Sequence, residues 1–304
     1  MASALIEDAW TGEDTSISEI ERELARLRDA TAAEGAQPSL RTSVMTHIAW
    51  VPPEWRAQAE NTLAGMAERH PSRTLLLLPK QDEPDGLDAQ LSIRCFPVGD
   101  RAVCSEVVEL FLRGNRAAAP ASLALPLLIS DLPVFLRWRG RPEWGSGPLE
   151  QLVDIVDRLI VDSTEWRDLP DAYAGLVDLF PRVAVSDIAW ERTERWRSLL
   201  ASLWPDVDAV RTLRVHGTAA QGHLIAGWLR SRLGHDVALE LDEHPTLEGL
   251  DLDGAPAAFP PGDPPQASDV LSSQLDRFTS DPVYEDAVRG ALGSLGSDPG
   301  QTRV

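Results

Sequence analysis

The residues best suited to hold a partner or a ligand are arginines set beside tryptophans. Arg137-Trp138-Arg139-Gly140-Arg141 gathers three guanidinium groups and an indole in a chain with 48 acidic residues. A guanidinium offers a planar fork to carboxylate or phosphate and also stacks on aromatic faces. Ser72-Arg73 follows the His70-Pro71 turn and has the hydroxyl and guanidinium for charge-assisted hydrogen bonds to phosphate. Trp190, Trp196 and Trp204 are interleaved with Arg192, Arg195 and Arg197, and these residue types are favoured at interface hot spots. Arg137, Trp138 and Arg139 lead as binding residues, with Trp196 and Arg197 next. The plainer reading is that arginines snorkel and pair with the many carboxylates, and that some tryptophans are core.

The constellations of common enzymes are missing. No G-x-G-x-x-G, H-E-x-x-H, EF-hand loop or G-x-S-x-G elbow occurs. Lys80 is the only lysine and follows Pro79, which argues against both a Schiff-base and a phosphate-loop lysine. His216 and His223 are seven apart, and a zinc site there would need ligands that this spacing does not supply. The pairs Asp154/Asp157 and Asp251/Asp253 read as solvated faces. Neither a catalytic set nor a metal or cofactor site is expected. Cys95 and Cys104 match no C-x-x-C pattern and make no disulfide framework. They form a redox pair only if the fold brings their Cα atoms within about 7 Å; otherwise Cys95 is an inert core residue.

The stretch that must position the first cluster is residues 123–140, LALPLLISDLPVFLRWRG. It is too short and too interrupted to cross a membrane, which takes about 20 apolar residues. Ser130-Asp131-Leu132-Pro133 is a turn signal, and Val134–Trp138 reads as a strand buried on both faces. The cluster therefore sits at a strand's carboxyl end, as Asp162-Ser163 does after a strand at 158–162. Ligands of open α/β sheets bind beyond such ends.

Elsewhere the periodicity predicts a disordered segment over 1–14 and a helix from Ser16, with Ser16 and Glu19 as a capping box. A strand is expected over 43–51, a helix over 54–69 and a strand over 74–78. After a loop at 80–88 come a strand at 89–98 and a helix at 105–113. A short helix over 120–129 and another from Leu149 follow. The second half reads as helices over 164–179 and 186–203, the latter capped by Asp187 or Ser186. A strand at 209–215, a helix at 219–233 closed by Gly234, and a strand at 236–241 form a βαβ unit. Helices at 268–279 and 282–292 close the chain. The fold class is α/β: two α/β domains with mostly parallel or mixed sheets flanked by helices, plus an N-terminal helix. The organisation expected is a flexible N-terminus and amphipathic helix over 1–37, an N-terminal domain over 38–163, and a C-terminal domain over 164–296. The latter carries a Pro-rich loop at 254–268, and 297–304 is a disordered tail.

Composition bounds the partners. The chain has 304 residues, 43% hydrophobic and 25% charged, with a formal net charge of −20. That charge repels nucleic acid and anionic membranes. The acidic N-terminus lacks an apolar run like that of a signal peptide, so a cytoplasmic location is expected.

Several motifs, taken in order, resemble one family. They are His70-Pro71-Ser72-Arg73-Thr74, the run 125–140 with Asp131-Leu132-Pro133-Val134-Phe135-Leu136, and Asp157-Arg158-Leu159-Ile160-Val161-Asp162-Ser163. Asp187-Ile188-Ala189-Trp190-Glu191-Arg192, Trp196-Arg197-Ser198-Leu199-Leu200 and Asp281-Pro282-Val283-Tyr284 follow. Together, over roughly residues 40–292, they are similar to the OpcA family of glucose-6-phosphate dehydrogenase assembly proteins. The resemblance implies a non-catalytic partner that binds glucose-6-phosphate dehydrogenase and favours its assembled, active form. One position departs from the pattern: Arg137 stands where the family often has the first residue of a tryptophan pair. The redox link of photosynthetic members is not carried over to Cys95 and Cys104. The alternative class is a sugar-phosphate-binding domain or enzyme that uses Ser72, Arg73 and Arg139.

Overall fold

The computed structural model describes residues 5–34, 39–40, 43–66, 71–98, 101–260, 262, 267–275, 277 and 279–293. They form two compact units, Met1–Ile160 with Leu271–Phe278, and Val161–Val270 with Thr279–Val304. Mixed sheets flanked by helices make it an α/β protein.

In chain order the first unit contains β1 (Leu5–Gly12), α1 (Ile17–Glu34), β2 (Ser39–Leu40), β3 (Thr46–Trp50), α2 (Arg56–Met66) and β4 (Arg73–Lys80). These are followed by β5 (Gly86–Val98), β6 (Arg101–Arg113), α3 (Pro120–Ala124), β7 (Val134–Trp138), α4 (Gly147–Val153) and β8 (Arg158–Val161). Its strands run in the order β1-β5-β6-β4-β3-β7-β8, with β2 beside β6. From β6 through β8 neighbours are parallel, while β5 is antiparallel to both β6 and β1. The central strands are buried on both faces, so they read as continuous apolar runs: Leu75–Leu78 in β4 and all five residues of β7 are buried. On α1, Ile20, Leu24 and Leu27 form the buried stripe, and the Glu19 amide donates to Ser16 Oγ at the helix start.

The second unit contains α5 (Ala174–Leu179), β9 (Ala184–Asp187), α6 (Ile188–Arg192), α7 (Glu194–Ser202), β10 (Thr212–Gly217), α8 (Ala219–Leu233) and β11 (Ala238–Glu243). The chain goes on through β12 (Gly249–Leu252) and β13 (Ala255–Pro256) to α9 (Ala267–Leu275), whose residues from Leu271 onward belong to the first unit, and ends with α10 (Pro282–Ala291) in the second. Its sheet runs β11-β10-β12-β13. The β10-α8-β11 crossover is the expected βαβ unit, with β10 and β11 parallel. Thr218 and Gln221 close a capping box at the start of α8, and Gly234 ends the helix at φ +68°.

Several local expectations are corrected. Residues 5–12 of the segment read as disordered are β1, paired with β5. Residues 105–113 are strand, not helix. Val107, Val108, Leu110, Phe111 and Leu112 are all buried in β6, and such a run suits a strand covered on both faces. Its two glutamates are met by arginines: Glu106 by Arg28 and Arg73, Glu109 by Arg56. With β6 a strand, Cys95 and Cys104 stand opposite each other in register and are joined as a disulfide. Their Cα atoms are 4.1 Å apart, so the condition for a pair is met and Cys95 is not an inert free thiol.

The segment 164–179 is helical only in pieces, with Pro170 between short 3-10 turns before α5. The helix expected over 186–203 is β9 followed by α6 and α7, divided at Thr193, with Asp187 as the cap of α6. The strand read at 209–215 begins at Thr212, after a 3-10 turn over Asp206–Ala209. β12 was not expected, and β13 occupies part of the Pro-rich loop. His70, parts of that loop and the segment 297–304 lie outside the described residues.

Candidate functional site

The end of β7 is built from two strands and a turn. Parallel register sets Trp138 beside Trp50 of β3, and their rings stack with centroids 4.9 Å apart. The Arg139 amide then donates to the Trp50 carbonyl at 3.0 Å, which carries the chain just past the sheet. Here the Arg139 guanidinium lies over the Trp55 ring, 4.7 Å from its centroid, a cation–π arrangement. Gly140 follows at φ +74°, and a Cβ there would come to 3.1 Å of Trp55 Nε1. A side chain at this position would be strained and would also crowd the indole.

Arg137 and Trp138 are buried, at 3% and 4% exposure. Arg137 turns back within its own strand, where Nη1 donates to the Trp138 carbonyl. Of the other two arginines Arg139 is half-buried and Arg141 exposed, and Arg139 has Trp55 as a partner that sequence reasoning did not single out. Pro52-Pro53 before Trp55 was the available signal, because it forces a turn at the carboxyl end of β3. A cleft lined by His47, Ala49, Ala59, Thr62, Arg137, Arg139 and Leu271 has a volume of only about 20 Å³. That is room for a water molecule and not for a sugar phosphate.

Ser72 and Arg73 lie at the other end of the sheet. Arg73 pairs in register with Thr46, whereas Trp138 pairs with Trp50; four residues of strand put them roughly 13 Å apart along the sheet. Arg73 Nε donates to Glu106 at 2.8 Å and Nη1 to the Leu127 carbonyl at 2.7 Å. Burial pushes the Glu106 carboxyl up, but the hydrogen bonds and charges of Arg28 and Arg73 outweigh it and hold the group below the usual range. Ser72 is buried beside Thr74. The structure therefore does not bring Ser72 and Arg73 together with Arg139.

A larger cleft of about 430 Å³ in the same unit is lined by Gln81, Glu83, Asp85, Asn115 and Glu143. Its carboxylates oppose an anionic ligand.

In the second unit, Trp196 is buried and packs on Phe259, which is 78% exposed. The Arg197 guanidinium lies 3.5 Å from the Trp190 centroid, and its Nε donates to Thr193 Oγ1. Trp204, just past α7, is 64% exposed. Arg195 donates to the carbonyls of Pro260 and Gly262, which ties the segment carrying Phe259 to α7.

Asp162 and Ser163 serve the fold. Asp162 caps the 3-10 turn that follows β8 and pairs with Arg192. Ser163 is buried, with its amide donating to Asp187 and its hydroxyl accepting from Tyr173. Asp187 also accepts from the Ala189 amide and the Tyr284 hydroxyl. Burial first, then the Asp162 charge, raises the Asp187 carboxyl to about 6. The same burial pushes both tyrosine hydroxyls well above their ordinary range. This is a buried polar tie between chain segments.

Comparison with known proteins agrees with the order of the motifs. Residues 64–177 match the family described as glucose-6-phosphate dehydrogenase subunit N-terminal domain, and residues 183–258 the one described as its C-terminal domain. A Nostoc punctiforme protein under the name OxPP cycle protein OpcA is 30% identical over 55% of this chain and 39% of its own length. Proteins of that name from Synechocystis and Synechococcus elongatus are 25% and 26% identical, over 55% and 56% of this chain. The matches span about two fifths of the length of these relatives. Two domain matches in sequence order, together covering more than half of the residues, make this chain a member of the OpcA family.

Proposed function

We propose that this chain is a non-catalytic assembly factor that binds glucose-6-phosphate dehydrogenase and favours its active oligomer, as an allosteric activator in the oxidative pentose phosphate pathway. The observation that carries the reading is the pair of consecutive domain matches, both described as parts of a glucose-6-phosphate dehydrogenase subunit. The mechanism is linkage. A protein that binds the assembled state better than the dissociated one shifts the population by that difference in affinity and no more.

Arg139 with Trp55 is the first contact surface, and Trp196 with Phe259 and Arg197 the second. Both combine an aromatic face with a guanidinium, the chemistry of interface anchors. The net charge of −20 argues against a nucleic-acid partner. Among the described residues no helix is long and apolar enough to cross a membrane, and the cytoplasm is the location we assign.

A sugar-phosphate site is the weaker reading. Arg73 and Arg139 lie apart on the sheet, Arg73 is engaged by Glu106, and the cleft at Arg139 is too small.

The test is a titration of this protein into dilute dehydrogenase from the same organism, following activity and mass by light scattering together. A saturable rise in both is expected. No complex and no change in rate would overturn the reading.

A further inference from the structure

We propose a binding site for a divalent zinc-like cation in the second unit, formed by His216, Asp242 and His244. His216 lies at the carboxyl end of β10, in register with Asp242 of β11, and His244 follows directly after β11. One ligand atom from each of the three lies within 4.8 Å of the others. His216 Nδ1 is 2.9 Å from Asp242 Oδ2, and His244 Nε2 is 3.4 Å from the same oxygen. Bonds of about 2.0–2.2 Å around a tetrahedral zinc separate neighbouring ligand atoms by roughly 3.3 Å. Small side-chain rotations would therefore open a place for the ion between these three groups.

A second observation points to a metal rather than a chance gathering of charges. Each histidine has its other ring nitrogen against a further carboxylate. His216 Nε2 is 3.3 Å from Asp251 Oδ2 of β12, and His244 Nδ1 is 3.3 Å from Glu248 Oε2. A carboxylate on the far nitrogen is the arrangement that fixes the tautomer and orientation of a metal-bound imidazole.

The backbone holds both rings in place. The His244 amide donates to the Gly217 carbonyl and the Glu248 amide to the His216 carbonyl, so the 244–248 turn is fastened to the end of β10. Gly249 lies opposite His216 in register, and a Cβ there would come to 3.2 Å of the ring.

Two imidazoles and one carboxylate favour zinc and neighbouring transition metals over calcium or magnesium. All three side chains are partly exposed, at 27%, 57% and 36%, so a metal can enter from solvent. Three protein ligands leave a fourth position for water or an anion. The site stands beyond the carboxyl ends of parallel strands, beside the first turn of α8, where α/β sheets present their ligands. His223, the partner considered for His216 from sequence, takes no part.

The test uses full-length protein without a histidine tag. Zn²⁺ is titrated calorimetrically, and Co²⁺ is followed by its visible absorption. One ion per chain is expected, with low-coordinate Co²⁺ bands and a rise in melting temperature on adding Zn²⁺. His216→Ala and His244→Ala should each weaken binding at least about 100-fold, and Asp251→Asn and Glu248→Gln by about 10–100-fold. His223→Ala and His235→Ala should leave the affinity unchanged. Circular dichroism confirms that each variant is folded. No saturable binding overturns the proposal; so does binding that survives His216→Ala and His244→Ala together, or that His223→Ala weakens equally.

Discussion

Gly227 of α8 and Gly290 of α10 meet backbone to backbone. A Cβ on Gly290 would overlap the Gly227 carbonyl oxygen, and one on Gly227 would overlap the Ala287 carbonyl oxygen and come to 2.5 Å of the Ala291 amide nitrogen. These two glycines set how closely the helices pack, and rotamer changes cannot relieve a clash with main chain.

Alanine normally improves a helix interior by about 1 kcal/mol over glycine. Here the overlap reverses the sign, and Gly227→Ala is expected to destabilise by about 1–3 kcal/mol, the usual cost of overpacking. Gly222→Ala serves as the comparison, because its new methyl would meet the end of the flexible Leu241 side chain. The urea midpoint should fall clearly more for Gly227→Ala. Equal midpoints would mean that the two helices are not held at this distance.

Cys95 and Cys104 should both resist alkylation when the protein is denatured without reductant, and both should react after reduction. Intact-mass measurement reads the difference directly. The bridge closes a loop with a sequence separation of nine, for which chain entropy gives roughly 2–3 kcal/mol. The double variant Cys95→Ser, Cys104→Ser should lose about that much. Full alkylation without reductant would show the thiols to be unpaired.

The disulfide also shows where the sequence was legible and where it was not. Val134–Trp138, α8 with its closing glycine, and Asp281 at the start of α10 followed from local signals: a continuous apolar run, a helical stretch ended by Gly234, and an acid before proline. β6 did not. Val107, Val108, Leu110, Phe111 and Leu112 fit a buried helix as well as a buried strand, and only pairing with β5 and β4 decides. Reading that segment as helix hid the cysteine pairing with it. The site residues show the same limit. The Arg137 cluster was visible as composition, but its cation–π contact is Arg139 on Trp55, both half-buried, and that pairing comes from the turn after β3. His216, Asp242 and His244 meet only through the β10–β11 register.

If Arg139 and Trp55 form the dehydrogenase surface, Arg139→Ala and Trp55→Ala should each weaken the complex by about tenfold or more, the range of interface anchors. Both variants should melt near the parent protein. Arg73→Ala is the contrast: it strands Glu106 beside Arg28 alone and should lower stability while leaving affinity intact. Light-scattering titrations with each variant separate the cases. Full affinity in Arg139→Ala and Trp55→Ala would move the surface elsewhere, first to Phe259 and Trp196.

Asp187 makes stability depend on pH in a direction opposite to that of a salt-bridged carboxylate. Its carboxyl is raised from 3.8 to about 6 by burial and then by the Asp162 charge. Between about pH 4 and pH 6 the folded protein keeps a proton that the unfolded chain releases, so this group's contribution falls as pH rises through that window. The full cost, on the order of 3 kcal/mol, is present above pH 6. Asp187→Asn keeps an acceptor for the Ser163 and Ala189 amides and turns an amide group toward the Tyr284 hydroxyl, which can accept from it. Other titrating groups are common to both proteins, so their difference isolates Asp187. Urea midpoints measured from pH 4 to pH 7 should show the variant gaining on the parent as pH rises. Parallel profiles would mean that Asp187 ionises at its ordinary pKa and that the Tyr173–Ser163–Asp187–Tyr284 tie holds a carboxylate without cost.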